Sequence, residues 1–127
     1  MGRKRVKVFF DGGCRPNPGQ MEVAVVLRGV AHIHDDLGFG TSSDAEWLAL
    51  IRALELALKA DVRDAELIGD SLDMINRARK VLDTGRVTCA HEESLRLLLE
   101  RGRPARIRWI RREQNLAGIA LAARHRT

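Results

Sequence analysis

Three acids in this chain stand where carboxylates can work together: Asp11 at the head of DGGCRPNPG, Glu46 at the end of TSSDAE, and Asp70 in GDSLD. Each also has an ordinary local reading. Asp11 ends an expected strand and opens a DG turn, where an Asp side chain caps the backbone. Glu46 lies three residues after Ser43, the spacing of a helix capping box. Asp70 ends another expected strand ahead of a helix and would serve as an N-cap. Taken together they point to chemistry, because ligand sites in α/β sheets form beyond the carboxyl ends of strands and at the helix starts beside them. Three carboxylates gathered without cations repel one another and take raised pKa values. A divalent cation relieves that repulsion, and an all-oxygen donor set selects Mg²⁺ or Mn²⁺ rather than zinc.

The elements that must position these acids follow from periodicity. Residues 4–11 alternate as a strand, with Val6, Val8 and Phe10 on one side. Residues 21–30 and 32–40 give two more strands around a turn at Arg28 and Gly29. Residues 43–59 are apolar nearly all round, as in a helix buried on several sides. A short strand (66–70), helices at 71–81 and 91–101, a strand at 105–111 and a closing helix at 114–124 complete the chain, with Gly102 and Pro104 as stop signals. The order βββ-α-β-α-α-β-α predicts an α/β fold with a five-stranded mixed sheet, three antiparallel strands followed by two parallel ones, covered by helices. Residues 1–127 are expected to form a single domain.

Composition narrows the partner. The chain carries a net charge of +5, which favours a polyanion. Residues 101–127 hold eight arginines against one acid, Glu113, so the surplus is concentrated at the C-terminal end. Such a localised surplus suits nucleic acid, although a solvated arginine-rich surface has the same composition. No apolar run approaches the ~18 residues of a membrane span, and the apolar stretch near the start is too short for a signal peptide. Cys14 and Cys89 form no CxxC pair, so reduced thiols and a cytoplasmic monomer are expected.

At this point the sequence resembles ribonuclease H of type 1 over almost its whole length. DGGCRPNPG (11–19) is similar to that family's strand-end Asp and Asn-Pro-Gly loop, TSSDAE (41–46) to its Glu segment, GDSLD (69–73) to its Asp-Ser, and IRREQN (110–115) to its R-E-x-N entrance to the last helix. The resemblance implies a ribonuclease H-like fold and metal-dependent hydrolysis of the RNA strand of RNA–DNA hybrids. Asp11, Glu46 and Asp70 would then be catalytic metal ligands. It further implies that Gly12 and Asn17 meet the 2′-hydroxyls of the RNA strand. Asn17 and Thr41 would grip a phosphate of the DNA strand, Ser43 would hydrogen-bond in the minor groove, and Arg112 would bind substrate. Leu72 replaces a frequent polar side chain after Asp-Ser.

Two departures stand out. Residues 80–91 leave no room for the basic helix that some members insert, so the C-terminal arginines would grip the substrate instead. The family pattern N-x-x-A-D-x-L-A falls on residues 115–122 and puts Ile119 where a fourth carboxylate belongs. Locally, Leu116, Ile119, Ala120 and Ala123 read as an apolar stripe. Glu113 or His125 would be the side chain to swing in as a substitute, and nothing in the sequence requires either to do so. The expectation is therefore weakened hydrolysis with a leaning toward Mn²⁺. A non-catalytic module that binds hybrid or double-stranded RNA, or a related nuclease acting on structured DNA, stand as alternatives.

Other motifs carry less. His32 and His34 share a strand face without a third ligand nearby. HEESL (91–95) has Leu95 where a zinc-protease motif needs a second His. Cys14 reads as a passive thiol, and Trp47 and Trp109 as core residues, since only five aromatics are present.

Overall fold

The computed structural model describes residues 5–125. Lys4, expected to start the first strand, and Arg126, one of the eight C-terminal arginines, lie outside them. The chain runs β1 (Val6–Cys14), β2 (Gly19–Leu27), β3 (Val30–His34), β4 (Phe39–Gly40), α1 (Ser42–Lys59), β5 (Ala65–Gly69), α2 (Leu72–Thr84), α3 (Ala90–Leu99), β6 (Arg106–Trp109) and α4 (Leu116–Ala123). The sheet order is β3-β2-β1-β5-β6, with β4 paired to β2. β1, β2 and β3 are antiparallel, while β5 runs parallel to both β1 and β6. Among the described residues no helix is long and apolar enough to cross a membrane.

One face of the sheet carries the main core. Val8 and Phe10 of β1 and Leu67 of β5 are fully buried there with Trp47, Leu50 and Leu54 of α1. On the other face the short helix α4 packs Ala117 and Leu121 against Ala24 and Val26 of β2. The hairpin β2–β3 turns through Arg28 and Gly29, both with positive φ (52° and 79°), the twist that joins antiparallel strands tightly.

Several local readings are corrected. β1 does not stop at Asp11. It stays paired with β2 through Gly12↔Val23, Gly13↔Glu22 and Cys14↔Met21, and Asp11 is an interior strand residue opposite Ala24. The Gly-Gly pair tolerates extended backbone, and the turn is left to residues 15–18. The expected strand 32–40 is broken, because Asp36 and Gly38 take φ of 56° and 96°, which no strand accommodates. β4 then pairs Phe39 with Gln20. The capping box of α1 is Thr41 with Asp44 rather than Ser43 with Glu46. Ser71, and not Asp70, is the N-cap of α2. The closing helix starts at Leu116 with Asn115 as its cap, after a 3₁₀ turn over Arg112–Gln114. Trp47 is buried as expected, whereas Trp109 is 39% exposed.

Candidate active site

β1 and β5 run side by side, and their last parallel pair is Phe9↔Ile68. Asp11 and Asp70 are each the second residue beyond that pair, so strand register alone brings both acids to the same end of the sheet. Glu46 arrives from α1 because position 12 is glycine. A Cβ there would lie 2.1 Å from the Ala45 carbonyl oxygen and 2.8 Å from the Glu46 nitrogen. Without that atom the helix lies directly against β1. Since Asp44 serves the cap, Glu46 is left to face the other acids. One carboxylate oxygen from each of Asp11, Glu46 and Asp70 lies within 4.8 Å of the others.

The cluster is held by neighbours that the family motifs only hinted at. Asn115, with no exposed surface, donates from Nδ2 to Asp70 Oδ2 at 2.9 Å and to the Phe10 carbonyl at 3.0 Å. Its Oδ1 accepts from the Ala117 N–H at 3.1 Å, so one side chain caps α4, ties it to β1 and orients Asp70. Trp109 Nε1 donates to the Asp70 carbonyl at 3.1 Å. Gly118 brings α4 close, since a Cβ there would sit 3.4 Å from Asp11 Oδ2.

The electrostatics are those of acids in want of a cation. Burial pushes Glu46 up to about 9, and the charges of Asp11 and Asp70 add to the shift. Burial also pushes Asp11 up to about 6, with Asp70 adding to it and Arg112 opposing it. Glu46 Oε2 is buried and has no hydrogen-bond partner. An orphaned buried oxygen in an all-carboxylate set fits a hard divalent cation such as Mg²⁺ or Mn²⁺.

These acids open into a cavity of about 390 Å³ whose wall includes Arg112, Glu22 and Ile119. Ile119 is 47% exposed and Leu116 46%. The apolar stripe expected of Leu116, Ile119, Ala120 and Ala123 is therefore not what α4 buries; the helix turns Ala117 and Leu121 inward instead. Ile119 is an uncharged wall of the site rather than a core residue.

The remaining sequence candidates divide into two groups. Gly12 lies within the cluster, and Arg112 lines the cavity. Asn17 and Thr41 lie apart from the acids, at the start of α1. Asn17 Nδ2 donates to Ser42 Oγ at 2.9 Å, and the Ser42 N–H donates to Asn17 Oδ1 at 3.1 Å. Ser42, which sequence reasoning passed over, thus makes the contact there, while Ser43 is exposed. Thr41 is engaged in its capping box with Asp44. Neither substitute named for the missing acid fills it. Glu113 is exposed, and His125 is bonded to Glu22. His34 accepts from Arg52, and His91 pairs with Asp44 at 2.8 Å.

A mixed sheet in this order, with acids gathered just beyond the last parallel pair of β1 and β5, defines the ribonuclease H-like class. Comparison with known proteins agrees. The family described as reverse transcriptase-like matches residues 9–125. Ribonuclease HI of Halobacterium salinarum is 44% identical over 72 residues, a stretch spanning 53% of this chain and 36% of that protein. The crystal structure of RNase H1 from Halobacterium salinarum NRC-1 superposes with a TM-score of 0.74 at 31% identity, covering 93% of this chain and 94% of that one. LC11-RNase H1, whose structure is a complex with an RNA/DNA hybrid, gives a TM-score of 0.68 at 26% identity over 92% of this chain and 93% of that one. The chain belongs to the ribonuclease H type 1 family.

Proposed function

We propose that the chain is a metal-dependent endonuclease that hydrolyses the RNA strand of RNA–DNA hybrids, at a rate below that of a four-carboxylate site. The observation that carries this reading is the convergence of Asp11, Glu46 and Asp70 within 4.8 Å in a chain of this family. The substrate class is supported by the relatives named ribonuclease HI and by the hybrid bound to LC11-RNase H1.

Asp11, Glu46 and Asp70 would hold Mg²⁺ or Mn²⁺, which when bound offsets phosphate charge and acidifies water. Asn115 keeps the Asp70 carboxylate aimed into the cluster. Arg112, in the cavity wall, supplies positive charge toward a scissile phosphate. Gly12 leaves its backbone bare for a ribose hydroxyl, the group that separates RNA from DNA. Asn17, Ser42 and Thr41 offer hydrogen bonds and a helix N-terminus to a phosphate of the other strand. In the reaction the oxygen of a water bonds to phosphorus and the bond from phosphorus to the 3′ oxygen breaks. The 3′ oxygen leaves with a proton, and the phosphate stays on the 5′ oxygen of the downstream fragment, which ends in a 5′ phosphate.

Ile119 offers no ligand atom where the family pattern has an acid. Each ~1.4 kcal/mol of lost transition-state stabilisation is a tenfold loss of rate. The same exposed isoleucine favours a second reading, a module that binds hybrid without cutting it. Cleavage of a labelled hybrid in Mg²⁺ and in Mn²⁺, with Asp11→Asn as control, separates the two. Cutting that Asp11→Asn abolishes supports the nuclease, and intact hybrid in both metals with retained binding supports the module.

A further inference from the structure

Glu22 is a fourth acid in the cavity, and no family motif marks it. It sits on β2 opposite Gly13, two residues along from the Asp11↔Ala24 pair. Opposed residues, and residues two apart on a strand, share a sheet face. Glu22 is thus the diagonal neighbour of Asp11 on the same face, with Cβ atoms about 7 Å apart by ordinary sheet geometry. Gly13 lies beside both and has no side chain to fill the space between them. Glu22 lines the cavity with Asp11 and Ile119 while only 7% exposed.

The end of α4 holds this acid in place. Arg124 Nε is 3.0 Å from Glu22 Oε1, and His125 Nε2 is 2.5 Å from Oε2. Arg124 also reaches Asp35 at 3.0 Å, which steadies the guanidinium. A carboxylate offers about four acceptor sites, and these two contacts leave others free. The helix that presents Ile119 to the site therefore clamps a carboxylate on β2 a short way across it. Glu22 lies outside the group whose oxygens come within 4.8 Å of one another. An acid outside that group acts on a shared cation through its waters rather than as one of its direct ligands.

We propose that Glu22 is a positioning carboxylate for the cation site, serving from β2 the side of the cavity where α4 carries Ile119. It accepts hydrogen bonds from the hydration shell of a divalent cation held by the three clustered acids, and Arg124 and His125 fix its orientation. Mg²⁺ and Mn²⁺ sites with few protein ligands keep several waters, so an acceptor at that range has something to orient. The inference rests on the metal-dependent reading above.

The test is calorimetric titration of Mn²⁺ alone into the full chain without nucleic acid, with thermal melts in EDTA as a check on folding. Wild type is expected to bind, Asp11→Asn to lose binding, and Glu22→Gln to bind at least about tenfold more weakly, the scale of outer-contact losses at metal sites. Glu113→Gln, on an exposed acid outside the cavity, should match wild type. If Glu22→Gln does not fold, Glu22→Asp decides, since it keeps the charge for Arg124 and shortens the reach; weakened binding is expected there too. A folded Glu22 variant with wild-type Mn²⁺ affinity overturns the role of Glu22 and leaves the three-acid site standing. Wild type that binds no Mn²⁺ overturns both.

Discussion

Asn115 Nδ2 lies 2.9 Å from Asp70 Oδ2, across 45 residues of sequence, and the same amide holds the Phe10 carbonyl at 3.0 Å. One fully buried side chain thereby joins the start of α4 to both strands that carry acids. Asn115→Ala would leave the Phe10 carbonyl and the Ala117 N–H without these partners. A buried polar group left unsatisfied costs about 1–3 kcal/mol. Urea denaturation should show a stability loss in that range, and Mn²⁺ affinity should fall because Asp70 is no longer held. Unchanged stability would show that water replaces the amide without cost.

Gly12 and Gly13 are neighbours with opposite tolerances. A Cβ on Gly12 would meet the Ala45 carbonyl oxygen at 2.1 Å, whereas one on Gly13 would find nothing closer than Leu121 Cδ2 at 3.9 Å. Gly12→Ala must push α1 away from β1, an overpacking cost of about 1–3 kcal/mol or more, and it carries Glu46 out of the cluster. Gly13→Ala should melt close to wild type. Equal melting temperatures for the two variants would contradict the packing described at Gly12.

The fold was largely legible because Val8, Phe10, Leu50 and Leu54 follow strand and helix periods without interruption. The three acids were legible as a group because each flanks an expected element. What failed were features decided between elements. Asp11 looked like a strand end because DGG reads as a turn, yet pairing with β2 carries the strand through it. Glu46 looked like half of a capping box until Asp44, two residues earlier, took that role. Ile119 looked like core because Leu116, Ile119, Ala120 and Ala123 repeat at helical spacing, yet α4 turns the adjacent stripe of Ala117, Ala120 and Leu121 to the sheet. Glu22 could not be read at all. Its closeness to Asp11 is a matter of register between β1 and β2, and its partners lie about a hundred residues away.

Ile119→Asp should raise hybrid cleavage. Ile119 is 47% exposed in the cavity wall, so the substitution takes no fully buried side chain out of the core. Its carboxylate would join a wall that already lies beside Asp11 and Asp70 through Gly118. The expected gain in the cleavage rate is on the order of tenfold or more, equivalent to ~1.4 kcal/mol or more of transition-state stabilisation. The gain should be accompanied by little change in melting temperature with metal present. A variant that folds, binds Mn²⁺ and cuts no faster would mean that the isoleucine is not what limits the site.

The stability of the metal-free chain should depend on pH in a direction set by the clustered acids. Burial, with like charge nearby, raises Glu46 from 4.5 to about 9 and Asp11 from 3.8 to about 6. Between those limits the folded chain keeps protons that the unfolded chain has released. Stability from this source is therefore complete below about pH 4 and falls as pH rises toward 9. Melting temperatures in EDTA should decline from pH 5 to pH 8.5, and Glu46→Gln should remove much of the decline. Mn²⁺ displaces the protons and should flatten or reverse the slope, because its ligands bind it only when deprotonated. A melting temperature that is flat in EDTA across this window would show that the acids are already charge-balanced without a cation.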